Sequence, residues 1–287
     1  MRRPVLIAAF RGWNDGAQGA SLAAGFLARS WDAERFADLD PEEFFDFQAV
    51  RPHVSLVEGQ TRHIDWPDNA FFHAAVPVVP PHPERDAVLL LGIEPSTRWR
   101  TFTGEIVELA RELEIELVIT LGALLADVPH TRPSPVTGAA SDPELVEELG
   151  LTTSRYEGPT GIVGVLHDAC HRASIKSASL WAAVPHYASL APSPRAALAL
   201  SARLGELLGT KLDLSELERA GDVYERQVSE AVSADEETDA YVRDLENRAD
   251  RLEDEADLPS GDTLAAELSR FLREHEARRR EEEESED

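Results

Sequence analysis

Val5-Leu6-Ile7-Ala8-Ala9-Phe10, running directly into Arg11-Gly12-Trp13-Asn14-Asp15-Gly16, is the stretch on which the fold turns. Six consecutive apolar residues are too short for a secretion signal or a membrane span, and they read as a buried strand. The two glycines that follow permit tight backbone turns, and Asn14 or Asp15 is placed to cap a helix beginning near Ala17. A buried strand, a Gly-containing turn and a helix make the first half of a βαβ unit.

The same pattern recurs outward along the chain. Ala87 to Ile93, Glu116 to Leu121 and Ser177 to Val184 read as further buried strands. Helical patterns cover Ala17 to Arg29, Phe102 to Glu114, Pro143 to Leu149 and Arg195 to Leu208. That alternation predicts an α/β protein: a three-layer α/β/α core with a mainly parallel sheet covered by helices on both faces. One segment breaks the rhythm. Val54, Leu56, Ile64 and Trp66 alternate with polar residues on either side of Glu58-Gly59-Gln60, which predicts an antiparallel hairpin at a sheet edge.

Beyond Lys211 the character changes. Residues 213 to 287 hold 27 acids and 10 bases, whereas residues 1 to 212 hold 27 acids and 18 bases. Apolar residues now recur at helical spacing: Leu214, Leu217, Tyr224, Val228 and Val232, then Tyr241, Leu245 and Leu252, then Leu264, Leu268, Phe271 and Leu272. Breaks fall at Ser233 to Glu237 and at Leu258 to Asp262. The expected organisation is an α/β core over 1–211, a small C-terminal helical domain over 212–280 and an acidic tail over 281–287.

Composition narrows the function. The chain has 287 residues, 43% hydrophobic and 29% charged, which is enough apolar material for a large core. A net charge of -26 disfavours nucleic acid and anionic membrane surfaces as partners. A single cysteine, Cys170, excludes an intramolecular disulfide and suits a reducing cytoplasm. His167 and His171 share a helical face, but the residue between them that a zinc protease fills with Glu is Asp168 in second place and no third ligand is evident, so no metal and no cofactor is expected.

In sheets of this kind ligands bind beyond the carboxyl ends of the strands, so candidate ligand-binding residues are sought there. Trp13, Asn14 and Asp15 follow the first strand. They form either a capped βα turn or the rim of a pocket. Glu94, Arg98 and Trp99 follow the second buried strand, either as a polar ligand site or as a Glu94–Arg98 surface ion pair. Gly122 to Pro133 reads as a long, proline-limited loop presenting Asp127, His130, Thr131 and Arg132. Asp127 and His130 have the chemistry of a proton-transfer pair, and a rigid interface loop is the alternative. No nucleophile accompanies them, so no catalytic residue is assigned. Gly158-Pro159-Thr160-Gly161 precedes another helical stretch, with Thr160 as the expected N-cap and free amides able to hold an anion.

Several of these segments together carry a family resemblance: Arg11 to Asp15, Arg51-Pro52, Trp66-Pro67, Gly92 to Pro95, Gly122 to Pro133 and Trp181-Ala182-Ala183-Val184-Pro185-His186-Tyr187. Over roughly residues 1 to 255 the chain resembles the proteasome assembly chaperone 2 family in its actinobacterial form. The resemblance implies a core shaped like that of nucleoside phosphorylases, a small C-terminal helical domain, and self-association as a homo-oligomer, with a trimer among the forms. It also implies protein partners, proteasome subunits among them, and a cytoplasmic location. The function expected is therefore that of a non-catalytic assembly chaperone or scaffold. The alternative is an enzyme or binder of a small anionic metabolite, nucleoside-phosphorylase-like or carboxylate-amine-ligase-like, working at the strand-end residues. Relatives that dock on proteasomes can end in a hydrophobic-Tyr-any tripeptide; this sequence ends Glu286-Asp287, so docking by that route is not expected.

Overall fold

The computed structural model describes residues 1–254 apart from Glu58, Gln60, Ser141, Ser154 and Arg155. In chain order the strands and helices are β1 (Val5–Arg11), α1 (Gly19–Ser30), β2 (Glu34–Leu39), α2 (Pro41–Phe44), β3 (His53–Val57), β4 (Thr61–Asp65), β5 (Asn69–Val76), β6 (Arg85–Ile93), α3 (Trp99–Glu112), β7 (Leu117–Ala126), β8 (Val136–Ala140), α4 (Pro143–Leu149), β9 (Thr152–Thr153), α5 (Ile162–Arg172), β10 (Ser177–Pro185), α6 (Pro194–Leu208), α7 (Ser215–Ser233) and α8 (Glu236–Asp254). Short 3-10 turns occupy Gly16–Gln18 and His186–Ala188.

Eight strands form one mixed sheet in the order β2-β5-β6-β1-β7-β10-β8-β9. Its centre is parallel: β6, β1, β7 and β10 run side by side in the same direction. Antiparallel pairings lie outside it, β5 with β6 and β2 with β5 on one side and β8 with β10 on the other.

β1 shows why the layers form. Val5, Ile7 and Ala9 point to one face, packing in a cluster with Ala20, Ala23 and Leu27 of α1 and Leu200 and Leu204 of α6. Leu6, Ala8 and Phe10 point to the other, with Phe102 and Ile106 of α3 and Ile162 and Leu166 of α5. A strand with both faces apolar needs helices on both sides, and alternate side chains divide the core into two.

Boundaries moved for identifiable reasons. α1 begins at Gly19 rather than Ala17, because Ala17 and Gln18 both take positive φ, 47° and 54°. β7 runs on to Ala126, so the expected loop from Gly122 starts only after that residue. The extension pairs with Trp181–Pro185 of β10. There a Cβ on Gly122 would come within 2.4 Å of the Trp181 ring, so only glycine lets that indole lie across the strand.

The hairpin forms, but it does not join a sheet edge. β3 and β4 make a separate two-stranded ribbon. The position beside β5 that it could have taken is filled by β2. The first helical break is where α7 and α8 meet, between Ser233 and Glu236. The break at Leu258–Asp262, the stripe from Leu264 to Leu272 and the tail from Glu281 lie outside the described residues.

His167, a half-buried residue of α5, turns its ring towards the sheet rather than to a metal site on the surface. Its Nε2 meets Thr120 Oγ1 of β7 at 2.9 Å and its Nδ1 meets Ser177 Oγ of β10 at 2.9 Å. Burial holds its pKa down, to about 4, so the folded protein keeps the ring neutral. His171 on the same helix is exposed. A folded pKa below the unfolded one means that the unfolded chain binds the extra proton. Stability from this group is therefore complete above about pH 6.5 and is lost as pH falls towards 4, by roughly 3 kcal/mol in all. Urea unfolding between these pH values should show that slope, and His167→Gln should flatten it even if the variant is less stable throughout.

Candidate functional site

The residues singled out in the sequence fall at the carboxyl ends of the parallel strands, where the topology puts them, but in separate groups. The first lies where β1, β6 and α5 meet. Asp15 does cap a helix: its Oδ1 accepts the amides of Ala20, at 2.8 Å, and Ser21, at 3.2 Å. It is buried, and burial raises its pKa. Asn14 is buried beside it and donates from Nδ2 to Glu94 Oε1 at 3.0 Å. The backbone of this turn is latched to β7, with the Ala123 amide donating to the Asn14 carbonyl at 2.9 Å.

Glu94 joins the group to α5. Its Oε1 also accepts the amide of Ile162, the first residue of that helix, at 2.8 Å, and its Oε2 accepts the Trp13 amide at 3.4 Å. Gly12, at φ 134°, would bring a Cβ to 3.0 Å from that of Glu94, so the turn closes on the carboxylate only with glycine there. This corrects the expectation for Thr160. The N-cap is Gly161, with no side-chain cap, and the first amide of α5 is held by the protein's own carboxylate. Trp13 itself presents its side chain to solvent, 48% exposed.

Arg98 stands apart. It pairs with Glu43, and its guanidinium carbon lies 5.9 Å from the centre of the Phe44 ring. The Glu94–Arg98 ion pair read from the spacing is thus replaced by two different partnerships. Trp99 bonds from Nε1 to the Pro95 carbonyl at 2.6 Å and packs on the α3–α5 side of the core.

The second group is the loop after β7, and it faces α7 and α8. Asp127 Oδ1 accepts the Tyr241 hydroxyl at 2.9 Å and lies 3.3 Å from His186 Nδ1. His130 is buried: its amide donates to the Tyr187 hydroxyl oxygen at 2.8 Å, its Nδ1 meets that hydroxyl at 2.9 Å, and its Nε2 meets Ser229 Oγ at 2.9 Å. A consistent donor pattern has the Tyr187 hydroxyl donating to Nδ1 and Nε2–H donating to Ser229, which is a neutral imidazole. Desolvation lowers the His130 pKa, in agreement. Burial likewise raises the Tyr187 and Tyr241 phenols. Thr131 donates to Glu246 at 2.5 Å. Arg132 donates from Nε and Nη2 to the two oxygens of Asp250, at 2.6 and 2.8 Å, a bidentate pair that holds the Asp250 carboxyl below its usual range.

Asp127 and His130 are therefore taken by different partners, not set up as a proton-transfer pair, and the loop works as a clamp on the helices. The partners Ser229, Tyr241, Glu246 and Asp250 had no signal in the sequence beyond lying on acidic amphipathic helices. Beneath the clamp, Tyr224, Val228, Val232 and Val242 form a small apolar cluster with Tyr187 and Ala188. Among the described residues no three or more His, Cys, Asp or Glu side chains gather as a metal site. A groove of about 420 Å³ lies elsewhere, between the segment around Val79–His82 and the end of α6.

A parallel-centred sheet between helical layers, with strand-end side chains that tie down neighbouring helices, defines a layered α/β protein carrying a clamped helix pair. Within that class the chain belongs to the PAC2 family, whose model matches residues 9–232. A PAC2 family protein from Streptomyces avermitilis is 47% identical, with a TM-score of 0.76 over 83% of this chain and 99% of that one. A Mycobacterium tuberculosis proteasome-assembly chaperone homologue is 43% identical, with a TM-score of 0.73 over the same shares, 83% and 99%. An archaeal proteasome activator from Pyrococcus furiosus, 17% identical with a TM-score of 0.64 over 80% of this chain and 94% of that one, shares the fold. No functionally curated protein matches.

Two substitutions separate the groups. Glu94→Ala leaves the Asn14 amide and the first amide of α5 without an acceptor and should destabilise the whole protein by roughly 2–4 kcal/mol in urea unfolding, with Glu94→Gln losing less. Arg132→Ala should instead release α8: amide exchange and proteolysis there speed up while the unfolding midpoint of the core stays put.

Proposed function

We propose that this protein is a non-catalytic assembly chaperone or scaffold that works through protein–protein contacts, with unassembled proteasome subunits and further copies of itself as partners. The observation that carries this reading is the 43% identity, over 83% of the chain, to a protein described as a proteasome-assembly chaperone homologue. The strand-end chemistry supports it. Glu94, Asp127, His130, Thr131 and Arg132 each carry intramolecular contacts, which favours a scaffold over the small-anion enzyme or binder that would need those groups for its ligand.

The proposed working parts are an α/β core over 1–211 and a helical part over 212–280. The proposed location is the cytoplasm. No helix among the described residues is long and apolar enough to cross a membrane, and the net charge of -26 opposes nucleic-acid binding.

Full-length protein added to separately purified proteasome α and β subunits from the same organism should co-migrate with α subunits on native gels and speed the appearance of assembled particles. Unchanged assembly kinetics together with no co-migration would sink the reading.

A further inference from the structure

Two histidines sit in the clamp, and they are placed differently. His186 lies 3.3 Å from Asp127, a carboxylate that can answer a positive charge. His130 is 3% exposed, and both its ring nitrogens face hydroxyls, Tyr187 at Nδ1 and Ser229 at Nε2, each at 2.9 Å. The Tyr187 oxygen accepts the His130 amide and gives its own proton to Nδ1. Protonation would turn Nδ1 into a donor. Two N–H groups would then point at one phenol oxygen, and the phenol proton would lose its acceptor in a buried place. Nε2 donates to Ser229 in either state, so the conflict falls on the Tyr187 side.

The surrounding charges do not relieve it. Glu246 of α8 attracts a proton to the ring, but its carboxylate is already held by Thr131; Arg195 of α6, paired with Glu225 of α7, opposes one. Tyr224 of α7 and Tyr241 of α8 are neutral phenols packed around Tyr187. Asp127 and Arg132 of the loop itself are engaged by Tyr241 and Asp250. Desolvation outweighs the attraction, so the docked ring binds its proton less tightly than a free histidine. Only water can settle a charge there, and α7 covers the ring through Ser229. That cover is separable from the core: α7 is anchored to the core at Leu217, whereas from Tyr224 onward it joins Val242 of α8 in the small cluster on Tyr187 and Ala188.

We propose that His130 is a protonation latch. With the ring neutral, α8 and the second half of α7 stay docked on the loop after β7; with the ring protonated, they lift from a folded core and bare Tyr224, Val228, Val232 and Val242. The docked ring has the weaker hold on a proton, so docking is strongest above about pH 6.5 and weakens as pH falls below it, with tenfold per pH unit the limit for one proton.

Amide exchange of the full-length chain at pH 7 and pH 5, corrected for the intrinsic rate, tests it. The opening equilibrium of α8 should rise roughly tenfold at pH 5, while amides of β1 and β7 report opening of the whole protein. A rise below threefold overturns the latch. So does an equal rise in β1 and β7, which is global unfolding. His130→Gln should flatten the response of α8, and His186→Gln and His167→Gln should leave it; flattening by either of the latter with His130→Gln still responding overturns the assignment. If His130→Gln leaves α8 open at both pH values, the ring nitrogen shifts of His130 in the unaltered chain decide. They should show the proton on Nε2 at pH 7 and a ring that charges in step with the opening of α8. A ring that charges while α8 stays protected, or stays neutral while α8 opens, overturns the proposal.

Discussion

Two-sided burial of β1 is the constraint from which the rest of the architecture follows. Its six apolar residues, Val5 to Phe10, leave no face for water, so α1 and α6 must close one side and α3 and α5 the other. Polar side chains are thereby excluded from the middle of the sheet, apart from groups such as Thr120 and Ser177 that His167 satisfies from above. They collect at the strand ends. There they meet helix termini, whose unpaired amides need acceptors, and Asp15 and Glu94 supply them. The same strand-end position that offers side chains to a ligand in other layered proteins is used here to fasten α1 and α5 to the sheet.

The second group of strand-end residues solves a different problem. α7 and α8 are acidic helices whose buried apolar surface is small, so hydrophobic packing alone gives them a limited hold. The loop after β7 adds a bidentate Arg132–Asp250 pair, the Thr131–Glu246 bond, and hydroxyl contacts to Asp127 and His130. Such contacts are directional. They fix how the helix pair is oriented without making it as hard to release as an element of the central sheet, because exposed charge pairs contribute little net stability. The protein is thus graded, with a tightly packed layered core and a helix pair held in register by polar contacts.

Sequence pattern carried the central layers because β1, β6, β7 and β10 are continuous apolar runs, and such runs have few other places to go. It did not carry β2 and β5. Glu34–Leu39 is a mostly exposed, mixed-charge strand, and Asn69–Val76 is buried without clean alternation, so neither shows a decisive period. Missing β2 is also what put the hairpin at a sheet edge, since β2 holds the place beside β5. For the strand-end residues, position was legible but partnership was not. Glu94 and Arg98 sit one helical turn apart in sequence, yet a left-handed residue at Arg98, φ 55°, sends the chain into α3 and turns the guanidinium towards Glu43 and Phe44. Likewise nothing in residues 127–132 announces that Asp127, Thr131 and Arg132 find partners more than a hundred residues away on α8, or that His130 finds one on α7.

The distribution of charge ties these parts together. A chain of net charge -26 gains solubility from self-repulsion and loses freedom in how it can assemble, because any acidic surface brought against its own copy must be desolvated against like charge. Where acid is concentrated, on α7 and α8, part of it is matched internally by Arg132 and Arg195, the latter pairing with Glu225. Apolar side chains are left in solvent on the ribbon, at Val54, Leu56 and Ile64. Matching part of the acid on α7 and α8 internally is what lets a strongly acidic protein hold its own helices against the core.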